Sequence, residues 1–489
     1  MSNQIPPAHP FDDDKPREEC GVFGAIGVSD AANFVALGLH ALQHRGQEAG
    51  GIVTHDPATG FNQARRMGLV RDNFTSADTM KVLPGSIGIG HVRYSTAGSK
   101  GQTAIRDVQP FFGEFSMGGA AVAHNGNITN ALSLRRELIE RGSIFQSSSD
   151  SECIIHLMAR SMGRNIPDRM QEALRHVEGA FSIVAMTRTK LIGCRDPLGI
   201  RPLVLGQLGD GYILASETCA LDIIGADFIR EVEPGEMVVI TEKGITSHRP
   251  FPPRRPQPCI FEYVYFSRPD SVLEGKSVYE VRREIGRELA REAPVEADMV
   301  CTVPDGGTPG AIGYSQESGI PFEMGIVRNQ YMGRTFIEPS EQIRNMGVRL
   351  KLNVNRALVQ GKRVILVDDS IVRGTTSRKL KDMILEAGAA EVHYRIASPP
   401  VKWPCFFGVD LPSRDDLLAV KMSLEEMRDY LGVSSLKFLS IDGLYRALGE
   451  KDGRNPNAPA YYDAVFTGEY PIKLTDMEEQ GVKLKMAAE

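Results

Sequence analysis

The sequence predicts a chain of mixed class: an α+β unit of sheets packed face to face with helices outside, followed by an α/β unit with a doubly wound parallel sheet. Three observations predict it. Residues 20 to about 245 are rich in Gly and in short alternating apolar runs, the period-2 pattern of strands in packed sheets. Residues 248–258, HRPFPPRRPQP, hold five prolines in eleven positions, a composition that favours an extended, semi-rigid connector. After it, helical patterns alternate with short β-rich runs, the order of a parallel sheet with ligands at the carboxyl ends of its strands.

In the first unit the runs SIGIGHVRYS, GGAAVAHNG, GAFSIVAMT and GYILAS read as strands, with helical patterns around 30–44 and 150–163. In the second, SVYEVRREIGRELAREA, PGAIGYSQESG and SRKLKDMILEAGA read as helices, and ADMVCTVPD, RVILVDDS and EVHYRIASPP contain strands. A chain of 489 residues is too long for one ordinary core, and about 100–200 residues per domain gives two or three.

Composition excludes several classes. The 62 acidic and 56 basic residues give a formal net charge of −6, with 42% hydrophobic residues, a balance ordinary for soluble globular proteins that does not call for nucleic acid. No uncharged apolar run approaches the roughly 18–20 residues that span a bilayer, so no membrane partner is expected. The first 19 residues carry Asp12, Asp13, Asp14, Glu18 and Glu19 and no apolar core, unlike a secretory signal, so a cytoplasmic protein is expected. The seven cysteines, at 20, 153, 194, 219, 259, 301 and 405, show no CxxC pair and read as reduced thiols.

The strongest motif is RVILVDDSIVRGTTSRKL, 363–380. An apolar strand, Val364 to Val367, ends at Asp368 and Asp369, and a loop of Gly374, Thr375, Thr376 and Ser377 opens a helix. Carboxylates at a strand end can accept hydrogen bonds from vicinal sugar hydroxyls, while amides at a helix amino terminus bind phosphate. Upstream, CTVPDGGTPGA ends a strand in a tight turn holding Asp305 and Gly306, whose amides suit pyrophosphate. Between them lie Arg328, Arg334, Arg344, Arg349 and Lys351, expected to form a mobile lid over an anionic substrate.

The run VILVDDSIVRGTT resembles the phosphoribosyl-pyrophosphate (PRPP) signature of type I phosphoribosyltransferases. The blocks ECGVFGAIG, LQHRGQEAGGI, HVRYST, HNGNITN and SSSDSE, followed by RDPLGIRPL and ASETCALD, resemble the class II glutamine amidotransferase domain. Taken singly, an NG pair is commonly a hairpin turn and a cysteine a buried hydrophobe; the conjunction in order singles them out. The resemblance implies an Ntn-hydrolase-type αββα sandwich. Cys20 would be the nucleophile and its freed α-amino group the general base, which makes residues 1–19 a propeptide. Asn125 and Gly126 would supply the oxyanion hole, Arg93 would hold the substrate carboxylate and Asp150 its ammonium.

Together with FEYVYFSRPDS, 261–271, the order of the halves resembles the amidophosphoribosyltransferase family, the glutamine PRPP amidotransferases of purine biosynthesis. The expected boundaries are a propeptide 1–19, a glutaminase domain 20–247, a linker 248–258, a phosphoribosyltransferase domain 259–470 and a tail 471–489. The resemblance implies glutamine and PRPP as substrates, ammonia passing internally from Cys20, Mg2+ at Asp368 and Asp369, a homo-oligomer, and feedback inhibition by purine nucleotides. Gly306 stands where the family members considered carry a hydroxyl residue near the metal, so no metal contact is carried over to that loop. Some members hold a 4Fe-4S cluster with four cysteines; Cys259 and Cys405 match two, but Tyr462 and Val465 occupy the other places, so no iron–sulfur cluster is expected. A non-catalytic PRPP sensor would have no use for Cys20 and Asn125, and an amidotransferase with another acceptor would have none for VDDSIVRGTT.

Overall fold

The computed structural model describes residues 17–18, 20–94, 102–329 and 351–479; Arg334, Arg344 and Arg349 of the expected lid, and most of 1–19, lie outside the described residues. In the first domain two antiparallel sheets face each other. The seven-stranded sheet runs in the order Asp227–Glu231, Val204–Leu208, Gly211–Ala215, Cys20–Ile26, Ile87–Arg93, Ala49–Asp56 and Gly60–Met67. The six-stranded sheet runs Gly244–His248, Met237–Thr241, Leu191–Arg195, Gly179–Met186, Gly118–Ile128 and Phe111–Phe115.

Strand alternation sends side chains to opposite faces. Val22, Val53 and Ile89 therefore meet Ala121, Ala123, Val184 and Ile240 between the sheets, while Phe23, Ala25 and Ile52 point outward to Val35 and Leu39 of the helix Ala31–Ala41. On the far side, Val122, Phe181, Ile183 and Ile192 pack against Ile154 and Met158 of Glu152–Arg160 and Met170 of Ile166–Leu174. The layers are thus αββα. The helices Ala131–Glu140 and Ile166–Leu174 are additions to the two helical patterns read from the sequence. Ala131–Glu140 buries only Leu134 and Leu138, too narrow a stripe for a clear 3.6-residue signal.

The second domain contains a four-stranded parallel sheet in the order Met299–Thr302, Arg363–Asp368, Glu391–Ile396 and Ser435–Phe438. Val278–Glu292 and Thr308–Ser318 cover one face through Ile285, Leu289, Ala311 and Tyr314 against Ile365 and Val367. Thr375–Glu386 and Leu424–Leu431 cover the other through Leu380, Ile384, Met427 and Leu431 against Val364 and Leu366. This is a doubly wound sheet, and Asp368 ends a central strand.

The domains share core. Ala180, Leu198 and Ile200 pack in one apolar cluster with Cys259, Ile260 and Phe407. The Pro-rich stretch is anchored to both sides: Gln257 N donates to Leu198 O at 2.7 Å, Arg175 Nε to Pro250 O at 3.0 Å and Arg254 to Pro471 O at 3.1 Å. Beyond residue 470 the chain returns to the first domain, where Asp476 accepts hydrogen bonds from Leu132 N at 2.7 Å and Ser133 N at 3.0 Å, satisfying orphan donors at the start of Ala131–Glu140.

Candidate active sites

Cys20 opens an inner strand and pairs in register with Arg93, which also pairs with Ala49. The thiol residue is 8% exposed. Two positions along, His91 turns toward the other sheet and its Nε2 donates to His124 O at 3.2 Å, so the Cys20–Arg93 end of one sheet is tied to the HNG segment of the other. His91 is fully buried, and burial, with the Arg93 and His124 charges beside it, pushes its pKa down to about 3. It is a neutral donor. His124 is placed by Gln109, whose Oε1 accepts from His124 N at 2.7 Å, and by Ser151 Oγ, 2.8 Å from its Nδ1.

Asn125 follows in the same strand at 0% exposure, and among the described residues neither its Nδ2 nor its Oδ1 has a hydrogen-bond partner. A buried amide left so costs stability unless something else uses it. Gly126 has φ +139°, and a Cβ there would lie 2.0 Å from Ala180 O, so a side chain is excluded. Asp150 accepts from Ile128 N at 2.9 Å and Ser151 N at 2.7 Å. Arg93 lies 3.5 Å from Asp107, and Asp107 accepts from Ser148 N and Oγ, each at 2.8 Å. Asp107 thus joins Arg93 to the loop carrying Asp150, a link that sequence reading missed.

In the second domain Asp368 and Asp369 are 3% and 1% exposed at the carboxyl end of the strand; Asp369 N donates to Asp368 at 3.0 Å and Ser370 Oγ to Asp369 at 2.8 Å. Gly374, at φ +79°, precedes the helix opened by Thr375, Thr376 and Ser377. The turn with Asp305 and Gly306 faces them: a Cβ on Gly306 would lie 2.2 Å from Asp369 Oδ2 and 3.7 Å from the Tyr265 ring. A side chain at 306 would therefore require the Asp369 carboxylate to turn aside. Asp305 is exposed and paired with Arg328. Lys351 O accepts from Asn329 N at 2.8 Å, at the end of a two-stranded ribbon of Ile326–Arg328 and Leu352–Val354.

Between the two sites lies a buried charge cluster. Arg45 donates to Glu217 and, at 2.7 Å, to Glu262; Arg201 lies 3.2 Å from Glu262. Glu217 also accepts from Arg268 N at 2.9 Å and Ser271 Oγ at 2.7 Å. Burial alone would raise the pKa of both glutamates, but the neighbouring arginine charges hold both down. Glu262 begins the π-helical turn Glu262–Phe266, whose carbonyl at Tyr263 accepts from Arg282 Nε at 2.7 Å. The blocks LQHRGQ, RDPLGIRPL, ASETCALD and FEYVYFSRPDS supply Arg45, Arg201, Glu217, Glu262, Arg268 and Ser271, yet nothing in their spacing pairs them.

Cys259 forms a strand bridge to Tyr462, whose hydroxyl lies 3.3 Å from Cys405 Sγ. Val465 is 2% exposed in the same apolar cluster.

A family model described as a glutamine amidotransferase domain matches residues 93–222. An amidophosphoribosyltransferase from Rhizobium etli is 57% identical, the match covering 100% of this chain and 99% of the relative. The chain belongs to the amidophosphoribosyltransferase family. It is also similar to the solved structure of the Bacillus subtilis glutamine PRPP amidotransferase complexed with ADP and GMP, with 44% identity, TM-score 0.87, and 93% and 98% of the two chains covered. A second solved structure, described as the allosteric regulatory enzyme of purine biosynthesis, matches with 45% identity and TM-score 0.87, covering 93% of this chain and 97% of that one. As a family member the protein is a glutamine-dependent transferase that converts PRPP, glutamine and water to 5-phosphoribosylamine, glutamate and pyrophosphate, the first committed step of purine biosynthesis.

Proposed function

We propose that glutamine is hydrolysed at Cys20 and that the ammonia released travels inside the protein to PRPP held at Asp368 and Asp369. The observation that carries the first half is Asn125: a fully buried amide with both polar atoms unpartnered among the described residues, on a strand tied to the Cys20–Arg93 end of the facing sheet. Cys20 Sγ adds to the glutamine carbonyl, with the α-amino group of a chain beginning at Cys20 as base, since such an amine has a pKa of about 8. Asn125 Nδ2 and Gly126 N–H stabilise the oxyanion, one such donor typically being worth about 100- to 1000-fold in rate. Arg93, oriented by Asp107, takes the substrate carboxylate and Asp150 its ammonium. Residues 1–19 are then a propeptide.

In the second half, ribose hydroxyls bind the two aspartates, the 5′-phosphate binds the amides of 374–377, and the Asp305–Gly306 turn, with Lys351 and Arg334, takes pyrophosphate. Among the described residues no group of three or more His, Cys, Asp or Glu side chains could hold a metal. That suits Mg2+, which binds through one or two carboxylates plus substrate phosphates and waters. Asp368 and Asp369 would hold it, and when bound it neutralises charge on the leaving pyrophosphate. Two thiols, a phenol and an isopropyl group at 259, 405, 462 and 465 do not fit an iron–sulfur cluster.

Internal transfer keeps ammonia from protonating in water and losing its attacking lone pair. Purine nucleotides, carrying the same 5′-phosphate, fit as inhibitors, and the B. subtilis relative was complexed with ADP and GMP. A homo-oligomer in the cytoplasm completes the reading; among the described residues no helix is long and apolar enough to cross a membrane.

The test is pyrophosphate release from PRPP with glutamine or with ammonia. Cys20→Ala should lose the glutamine-dependent rate and keep the ammonia-dependent one. Glutamine-dependent turnover by Cys20→Ala would remove Cys20 from the reaction.

A further inference from the structure

One short segment of the second domain, Cys405 to Asp410, touches both the oxyanion strand of the first domain and the chain just ahead of Cys20. On one side, Asn127 Nδ2 donates to Phe406 O at 2.8 Å. Gly408, at φ +108°, is so close that a Cβ there would lie 3.3 Å from Gly126 Cα and 3.5 Å from the Arg201 guanidinium. On the other side, Arg17 and Glu18 pair as an antiparallel strand with Asp410 and Val409. The register has a direction. As the first segment ascends from Arg17 to Glu18, toward the Glu19–Cys20 bond, its partner descends from Asp410 to Val409, toward Gly408. Val409 is 3% exposed within the core cluster, so the template strand is anchored.

We propose that the Cys405–Asp410 segment is the template on which residues 1–19 are removed. It binds the propeptide by strand addition, in which backbone hydrogen bonds supply the affinity, and it braces Gly126 and Asn127 beside Asn125. Cys20 Sγ adds to the Glu19 carbonyl carbon, and the thiol proton passes to the Cys20 nitrogen as the Glu19–Cys20 C–N bond breaks. This leaves a thioester between Glu19 and Cys20 Sγ and a free Cys20 amine. Water then hydrolyses the thioester, giving the Glu19 carboxylate and the thiol. Maturation of the glutaminase thereby depends on a folded second domain, so a released amine appears only where an acceptor site exists.

The inference rests on the propeptide reading, and the experiment separates the two. The full chain is expressed and its intact mass followed with time. Wild type and Arg17→Ala/Glu18→Ala, which keep every backbone N–H, should lose residues 1–19 at similar rates. Arg17→Pro/Glu18→Pro, which removes whichever of the two N–H groups donates to the template, since consecutive residues of an antiparallel pair face alternate edges, should be cut at least tenfold more slowly while keeping ammonia-dependent synthesis, showing that the chain is folded. Cleavage of the proline variant at the wild-type rate overturns the template alone. Fully active wild type that retains residues 1–19 overturns the propeptide reading and the template with it.

Discussion

Asp107 is 2% exposed, and its carboxylate lies 3.5 Å from Arg93 while holding Ser148 by two hydrogen bonds. Such a contact orients a guanidinium for a second, bidentate partner. Asp107→Asn weakens it without removing the volume, and hydrogen bonds to charged groups are worth about 1.5–3 kcal/mol. The expected result is a glutamine KM raised about tenfold or more, with ammonia-dependent synthesis unchanged; initial rates with each nitrogen donor check it, and an unchanged KM counts against the role. His91 sets a pH dependence. Its folded pKa of about 3 lies below the unfolded value of about 6.5, so the unfolded chain binds the extra proton between these values. Stability is therefore lost as pH falls from about 6.5 toward 3, by up to about 1.4 kcal/mol per pH unit. His91→Gln retains a donor for His124 O and should flatten the denaturation midpoint between pH 6.5 and 5. A slope as steep as wild type's would point to another group.

At the scale of elements, the π-turn Glu262–Phe266 is the junction piece. Its first residue meets Arg45 and Arg201 of the first domain, its carbonyl at Tyr263 is held by Arg282, and the Tyr265 ring comes close to Gly306. Removing one member of a buried ion cluster leaves opposing charge uncompensated, which typically costs about 3–5 kcal/mol, although replacing the whole cluster by apolar groups can be neutral. Glu262→Gln should accordingly lower the midpoint of chemical unfolding sharply. A shift no larger than that of Glu233→Gln, whose partner Arg249 is exposed, would show that the cluster is not strongly stabilising.

For the whole molecule, that junction is a physical path through which an occupied PRPP site would organise the glutaminase. An uncoupled glutaminase would hydrolyse glutamine with no acceptor present. Coupling free energies are reciprocal and typically about 1–3 kcal/mol, so PRPP should strengthen glutamine binding as much as glutamine strengthens PRPP binding. Asp368→Asn with Asp369→Asn should abolish the PRPP stimulation of glutamate release and leave the basal rate. Glutamate release in wild type that is equal with and without PRPP would show two merely tethered halves.

Local pattern carried what depends on neighbours in the chain. VILVDD followed by GTTS specifies a buried strand, two carboxylates and a helix amino terminus within a few residues, and the period-2 runs around HVR and AHNG specify strands of the sandwich. The αββα and doubly wound architectures follow from such repeats because burial of one face forces the layers. Contacts between distant residues left no such trace. Arg45 meets Glu262 across 217 positions, and Asn127 meets Phe406 across 279. Asp107, His91 and Gln109 look in the sequence like ordinary polar residues. Only the tertiary structure pairs them, because sequence spacing records a side chain's direction from its own strand or helix and not the partner that folding brings to it.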